Sequence, residues 1–327
     1  MTVDLATKLA FLRAPGALDG AVESIETHMS WVVLTEQRAF KLKKPVKLPY
    51  LDYTTVEQRR RVCEKELRLG RRLAASVYLD VVPLVAGAGG LALDGQGEIV
   101  DWIVVMRRLA ADRMLPQMLA RGVATVGDAD AVADVLADFY RTARRASWDG
   151  AEYRHRLRNL VVSVAGELVQ RGGPRAQIKS LVSGQLATIE RDALSLDARI
   201  AAGRVVDAHG DLRPEHVCLE SPPVIIDALE FDDDLRTLDA ASELAFFALE
   251  CERIGATWFG ERVIARYAKR NGDQVPAPLA ALYRGQHALT RALIALRHLD
   301  DVAPADQARW RTKAADYLAR ASAGSAR

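Results

Sequence analysis

The order of elements in this chain predicts an α+β fold of two lobes, a mainly antiparallel sheet with one helix followed by a larger helical part. Three observations carry the prediction. Alternating, β-branched runs concentrate before Met106. Helical periodicity and alanine dominate after it, and one β-hairpin interrupts the helical remainder. A doubly wound sheet would instead alternate strands and helices throughout. The expected lobes are residues 1–106 and 107–327, with Trp102–Leu109 as the connector.

Taken in order, residues 1–20 read as a short helix stopped at Ala14-Pro15-Gly16. Ser30–Thr35 and Ala39–Lys43, separated by Glu36-Gln37-Arg38, form a hairpin. Thr55–Leu73 is helical, with Val56, Val62, Cys63, Leu67 and Leu69/Leu73 along one side. Strands follow at Val81–Leu84 and, beyond the turn Gly87–Gly90, in a run ending at Ile99–Met106. Helices are expected over Leu115–Leu119, Asp128–Ala146, Tyr153–Gln170 and Ser180–Ala202. The β island is His216–Glu220 and Val224–Ile226 around Ser221-Pro222-Pro223. Helix returns over Asp239–Ile254, Thr257–Arg270, Pro278–Leu299 and Ala308–Ala321.

Composition excludes several classes. With 45 Lys+Arg against 43 Asp+Glu the net charge is +2, too small to wrap nucleic acid. Cys63, Cys218 and Cys251 are too few and too widely spaced for a disulfide framework or zinc cluster, and fit a reduced compartment. Residues 1–15 lack a secretory core, and no apolar run approaches the roughly 18 residues of a membrane span. A cytoplasmic protein without nucleic-acid or membrane partners is expected.

The chemistry concentrates in His209-Gly210-Asp211-Leu212-Arg213-Pro214-Glu215-His216, followed by Val224-Ile225-Ile226-Asp227. The hairpin between them would bring the carboxylates of Asp211 and Asp227 to one sheet end. There, beside an imidazole, they can hold a divalent metal and take a proton from a hydroxyl. The same residue types also cap ordinary turns.

This pattern, with Glu26-Thr27-His28, Ser30-Trp31-Val32-Val33-Leu34, Ala39-Phe40-Lys41-Leu42-Lys43 and Cys63-Glu64-Lys65-Glu66 in order before it, resembles the aminoglycoside phosphotransferase/choline kinase family, relatives of the protein kinases. The likeness runs over most of residues 20–255. It is similar to a bacterial subgroup in which such a domain is often fused to a P-loop ATPase domain; here the kinase-like part stands alone. The resemblance implies ATP (or another nucleoside triphosphate), Mg²⁺ (or Mn²⁺) and a small-molecule hydroxyl acceptor. It assigns Asp211 as catalytic base, His209 as organiser of its loop and Asp227 as metal ligand. Lys41 becomes the phosphate-pairing lysine and Glu66 its partner. Lys43 shares a strand face with Lys41 and stays open as the alternative. Glu64 lies about 200° from Glu66 on the helix. Thr27, His28 and Ser30 replace a glycine-rich loop, either as phosphate donors or as hairpin-turn residues. Met106 either meets the adenine or packs.

His216 is the departure, because relatives place a metal-binding Asn there. Mg²⁺ prefers oxygen, whereas imidazole suits Mn²⁺ or Zn²⁺. The outcomes are a working variant, one weakened metal site, or a kinase-like nucleotide binder without turnover. Asp239 either receives bonds from the catalytic loop or caps its helix. Arg213 touches phosphate or is a surface residue. Glu230 and Asp232 are candidates beside the metal or the acceptor. With Asp233, Asp234, Glu243, Glu250 and Glu252 they form an acidic run that could attract a polycation. No Gly-x-x-x-x-Gly-Lys-Ser/Thr, Gly-x-Ser-x-Gly or His-Glu-x-x-His motif supports a P-loop, α/β-hydrolase or zinc-protease reading.

Overall fold

The computed structural model describes residues 3–14, 16–18, 20, 23–48, 51–300 and 302–323. Its contacts divide the chain into two units, Met1–Ala124 with Glu215–Arg236, and Thr125–Pro214 with Thr237–Arg327. In chain order the elements begin α1 (Leu5–Arg13), β1 (Glu23–Glu26), β2 (Ser30–Leu34), β3 (Arg38–Lys43), β4 (Lys47–Leu48), β5 (Leu51–Asp52) and α2 (Val56–Ala74). There follow β6 (Tyr78–Gly87), β7 (Gly90–Leu93), β8 (Glu98–Arg107) and α3 (Leu115–Ala120). The second unit opens with α4 (Val126–Thr142), α5 (Gly150–Gln170), α6 (Arg175–Arg191), α7 (Ala193–Ala201) and β9 (Val205–Asp207). The chain returns to the first unit for β10 (Val217–Cys218), β11 (Val224–Ile225) and α8 (Asp233–Arg236). It finishes in the second with β12 (Thr237–Asp239), α9 (Ala240–Arg253), α10 (Thr257–Asn271), α11 (Ala277–Arg297) and α12 (Gln307–Ala323).

The first unit is built on a six-stranded antiparallel sheet in the order β1-β2-β3-β8-β6-β7. Alternation along β3 sends Phe40 and Leu42 into a core with Leu9 and Leu12 of α1 and Ile103 and Val105 of β8. Ala39 goes the other way, into a cluster with Cys63 of α2, Val104, Met106, Cys218 and Val224. Helix α2 starts cleanly because Thr55 and Gln58 form a reciprocal capping box, which satisfies two of its free amide donors. Both sheet faces are therefore covered, and β3 is buried from Ala39 to Lys43.

In the second unit α11 is central, packing on α5, α6, α9 and α12. Three Asp residues one turn apart on α4 pair with three Arg residues on α10: Asp130–Arg262, Asp134–Arg266 and Asp138–Arg270. The expected single helix over Ser180–Ala202 is two, α6 and α7, hinged at Asp192 (φ −101°, ψ 23°). Neither Gly nor Pro marks that break; it lets Leu196 join Ile189 and Leu157 in one core. The expected stop at Pro15 lies outside the described residues, and α1 ends at Arg13 with Ala14 as its cap. Three short pairings were not anticipated, β1 on β2, β9 with β12 and β4 with β5. Among the described residues no helix is long and apolar enough to cross a membrane, and Cys63, Cys218 and Cys251 are buried and outside any disulfide.

Candidate functional site

In the first unit, strand alternation aims Lys41 and Lys43 at the same side of the sheet, where α2 supplies Glu66. Lys41 Nζ lies 2.7 Å from Glu66 Oε1 and 2.6 Å from Asp227 Oδ1. Lys43 Nζ lies 2.6 Å from Glu66 Oε2 and 2.5 Å from Glu230 Oε1. One buried carboxylate thus bridges both ammonium groups, and each lysine has its own second acid. Burial alone would strip a proton from Lys41, but Asp227 and then Glu66 outweigh it and hold the pKa well above the usual lysine range. Burial likewise pushes the Glu66 carboxyl up; Lys41 and Lys43 overcome that and hold it low. Glu64 faces outward and pairs with Arg60 at 2.9 Å.

The two lysines differ in access. Lys43 is 1% exposed and its partner Glu230 also accepts from Tyr53 Oη at 3.2 Å, so this pair closes the interior. Asp227, the partner of Lys41, keeps 44% of its side chain exposed. Its carboxyl is lowered because Lys41 and then His216 overcome the opposing effect of burial. Asp227 sits at φ 64°, in the left-handed region that Asp tolerates better than most side chains. Its N–H donates to Tyr78 Oη at 2.9 Å. The Tyr78 ring occupies space that a side chain at Gly70 of α2 would fill: a Cβ there would lie 2.3 Å from the ring. Tyr78 and Gly70 were missed in the sequence, although a glycine inside an otherwise well-formed helix is a signal of close approach.

His216 Nε2 stands 3.5 Å from Asp227 Oδ2, and its carbonyl accepts from Ile226 N at 2.9 Å. Thr27 closes the β1–β2 turn, accepting from Ser30 N at 3.0 Å and donating to Ser30 O at 2.9 Å. Ser30 Oγ is buried without a hydrogen-bond partner among the described residues. Met106 lies mid-sheet, in register with Ala39 on one side and Tyr78 on the other.

Asp211 and His209 belong to the second unit. His209 is fully buried; its Nδ1 accepts from Asp211 N at 3.3 Å, a bond that orders the loop. Gly210 between them has φ 86°, which a side chain would oppose. The loop is held by Glu243 of α9, whose carboxylate accepts from His209 N at 3.1 Å, Gly210 N at 2.6 Å and Tyr140 Oη at 2.7 Å. Asp211, 27% exposed, has Arg213 Nε at 3.2 Å and Arg291 Nη1 at 4.0 Å. Asp239 is not the loop's acceptor. It caps α9 through Ala241 N at 2.8 Å, receives Tyr283 Oη at 3.0 Å and pairs with buried Arg199.

The acidic run is also committed elsewhere. Glu230 serves Lys43, and Asp232 accepts from Asp234 N and Leu235 N. Asp233 pairs with Lys65 and Arg236, Glu250 receives Tyr317 Oη at 2.6 Å, and Glu252 holds Arg284 and Arg320. Glu230, Asp233 and Glu252 thus neutralise local cations, Asp232 caps a backbone turn and Glu250 receives a buried hydroxyl.

Among the described residues no group of three or more His, Cys, Asp or Glu side chains could hold a metal ion. The donor set still fits a partly exposed metal. Asp227 offers hard oxygen atoms in reach of solvent, and His216 adds a nitrogen.

No family model matches the chain. Uncharacterized proteins of Mycobacterium tuberculosis (strain H37Rv) and Mycobacterium bovis are each 36% identical over 286 residues, covering 82% of this chain and 53% of theirs. The chain therefore spans about half the length of the curated relatives it matches. Among solved structures, a choline/ethanolamine kinase family protein from Mesorhizobium loti aligns with a TM-score of 0.57 at 15% identity, covering 98% of this chain and 94% of that one. A GDP complex of wild-type aminoglycoside 2'-phosphotransferase-IIIa aligns at 0.53 and 16%, covering 97% of each chain. A choline kinase from Cryptosporidium parvum Iowa II aligns at 0.52 and 12%, covering 98% and 95%. The chain has the protein-kinase-like α+β fold shared by these aminoglycoside phosphotransferase and choline kinase structures.

Proposed function

We propose that the protein is an ATP-dependent phosphotransferase that moves the γ-phosphoryl group to a hydroxyl of a small molecule. The observation that supports this best is the Lys41 ammonium, buried yet protonated, between Glu66 and the half-open carboxylate of Asp227. Glu66 fixes the lysine so that it can meet nucleotide phosphates without first being ordered. Asp227, with His216 beside it, would hold Mg²⁺ or Mn²⁺, which when bound neutralises phosphate charge. Phosphate oxygens and water complete such a shell in sites that offer few carboxylates.

Asp211 is assigned as base. The acceptor hydroxyl gives its proton to an Asp211 oxygen, the hydroxyl oxygen bonds to the γ-phosphorus, and the bond from that phosphorus to the β–γ bridging oxygen breaks, releasing ADP. Glu243, by gripping His209 and Gly210 through their amides, keeps Asp211 in place. We assign Lys41 rather than Lys43 to the phosphates, because Lys43 is 1% exposed and matched by Glu230. Residues 1–106 are taken as the nucleotide-covering part, with Thr27, Ser30 and Met106 on the nucleotide side, and residues 107–327 as the catalytic and acceptor-binding part.

The test is ADP release with ATP, Mg²⁺ or Mn²⁺ and a panel of hydroxylated metabolites. Acceptor-dependent release that vanishes in Asp211→Ala supports the assignment; ATP binding with no release for any acceptor refutes turnover. A second reading, a nucleotide binder without turnover, draws on His216 standing where its imidazole meets the Asp227 carboxylate. His216→Asn separates the two: a gain with Mg²⁺ identifies His216 as a metal ligand that weakens Mg²⁺ chemistry.

A further inference from the structure

We infer that the acceptor is an anion, a hydroxylated small molecule bearing a carboxylate or phosphate, recognised by Arg291, Arg253 and Lys313 beside Asp211. This rests on the phosphotransferase reading and names its substrate class. Arg253 of α9 and Arg291 of α11 meet at Glu250, and Lys313 of α12 lies near enough to feel the charge of all three. Arg253 Nε is 3.1 Å from Glu250 Oε2, and Arg291 Nε is 3.7 Å from Glu250 Oε1. Arg291 also reaches Asp211 at 4.0 Å, while its Nε, buried, makes no hydrogen bond with the described residues. Lys313 rests against the Trp310 ring, 5.1 Å from its centroid, and pairs with no carboxylate among the described residues. Burial and the neighbouring Arg253 and Arg291 depress its pKa, a sign that positive charge here is undercompensated.

Among the described residues Arg213 pairs with one carboxylate, Asp211, and Arg253 and Arg291 share another, Glu250. One of the two, Glu250, already receives Tyr317 Oη; the other, Asp211, must stay available for a proton. Arg213, adjacent to Asp211, suits the transferred phosphoryl group, which leaves Arg291 and Lys313, with Arg253 beside them, for the acceptor. An anionic substituent satisfies Arg291 and Lys313 together, since guanidinium and ammonium donors bind carboxylate and phosphate oxygens strongly. A polycation would meet Arg253, Arg291 and Lys313 here, with Glu250 already engaged by Tyr317 Oη.

The test uses the full chain with glycerol phosphate, glycerate, choline and kanamycin as probes, titrated calorimetrically, with ATP titrated separately. At least one of the two anions should bind, weakening about tenfold or more in both Lys313→Ala and Lys313→Gln, and falling as salt is raised. Comparing the two anions distinguishes a phosphate from a carboxylate substituent. A cavity of about 300 Å³ in the same unit, lined by Arg141, Arg145, Arg204 and Arg270 and by none of Arg253, Arg291 and Lys313, supplies the control: Arg145→Ala should leave binding unchanged. Absence of anion binding, tighter binding of choline or kanamycin, an unaffected Lys313 pair, or loss in Arg145→Ala instead overturns the inference. Failure of ATP to bind would instead overturn the phosphotransferase reading and leave the anion result to be read separately.

Discussion

Replacing Glu243 removes the support beneath the loop that carries Asp211. Its carboxylate is 1% exposed and accepts three hydrogen bonds, from His209 N, Gly210 N and Tyr140 Oη. Glu243→Ala leaves those donors without an acceptor in a dry interior. At about 1–3 kcal/mol for each stranded group, and with partial relief by water, a loss of roughly 4 kcal/mol follows. Glu243→Gln is the sharper probe. If its one oxygen still serves His209 and Tyr140, its amide turns N–H donors toward Gly210 N–H, losing one bond at about 1–3 kcal/mol. The assay is urea denaturation of the wild type and both variants, with ADP release measured in parallel. The order Glu243→Ala below Glu243→Gln below wild type is expected, with turnover falling in step. Glu243→Gln within about 0.5 kcal/mol of wild type and fully active would refute the argument that this carboxylate builds the loop.

Gly70→Ala gains about 1 kcal/mol in helix propensity but forces a methyl to within 2.3 Å of the Tyr78 ring, and the overpacking of about 1–3 kcal/mol wins. A net loss of stability with weakened ATP affinity, through the Tyr78–Asp227 bond, is the expected readout. Glu66→Gln should destabilise by about 3–5 kcal/mol in denaturation, because two buried ammonium groups lose a shared counter-ion, while Glu64→Gln leaves stability unchanged. Burial and then Arg291 lower the His287 pKa from the ordinary 6.5 to about 4. A depressed pKa favours the neutral, folded form, so this contribution is whole above pH about 6.5 and is lost as pH falls toward about 4. It amounts to at most about 3 kcal/mol. Thermal melts across that range should slope less in His287→Gln.

What the chain made legible follows from locality. Strand alternation alone put Lys41 and Lys43 on one face, and the helix period separated Glu66 from Glu64. The second acid that each lysine meets, Asp227 for Lys41 and Glu230 for Lys43, lies more than 180 residues away in sequence, and no local pattern encodes that pairing. The same holds for Glu215–Arg236, which the contacts place with Met1–Ala124. Glu243 read as one more acid in a helix, and its role appears only once α9 faces the amides of His209 and Gly210. The acidic run shows the same limit. Local sequence shows charge, whereas Lys43, Lys65, Arg236, Arg284 and Arg320, which pair with Glu230, Asp233 and Glu252, come from other elements or other turns.

The central claim is phosphoryl transfer to a small hydroxylated molecule, and γ-labelled ATP tests it most directly. The full chain is incubated with the labelled nucleotide, divalent metal and a cellular metabolite extract, and the small-molecule fraction is analysed by mass spectrometry. The account predicts one new labelled phosphoryl ester, retained on an anion exchanger, whose formation is abolished in Asp211→Asn and Asp227→Asn. Bound but intact ATP, with no labelled ester from any extract fraction, would contradict it.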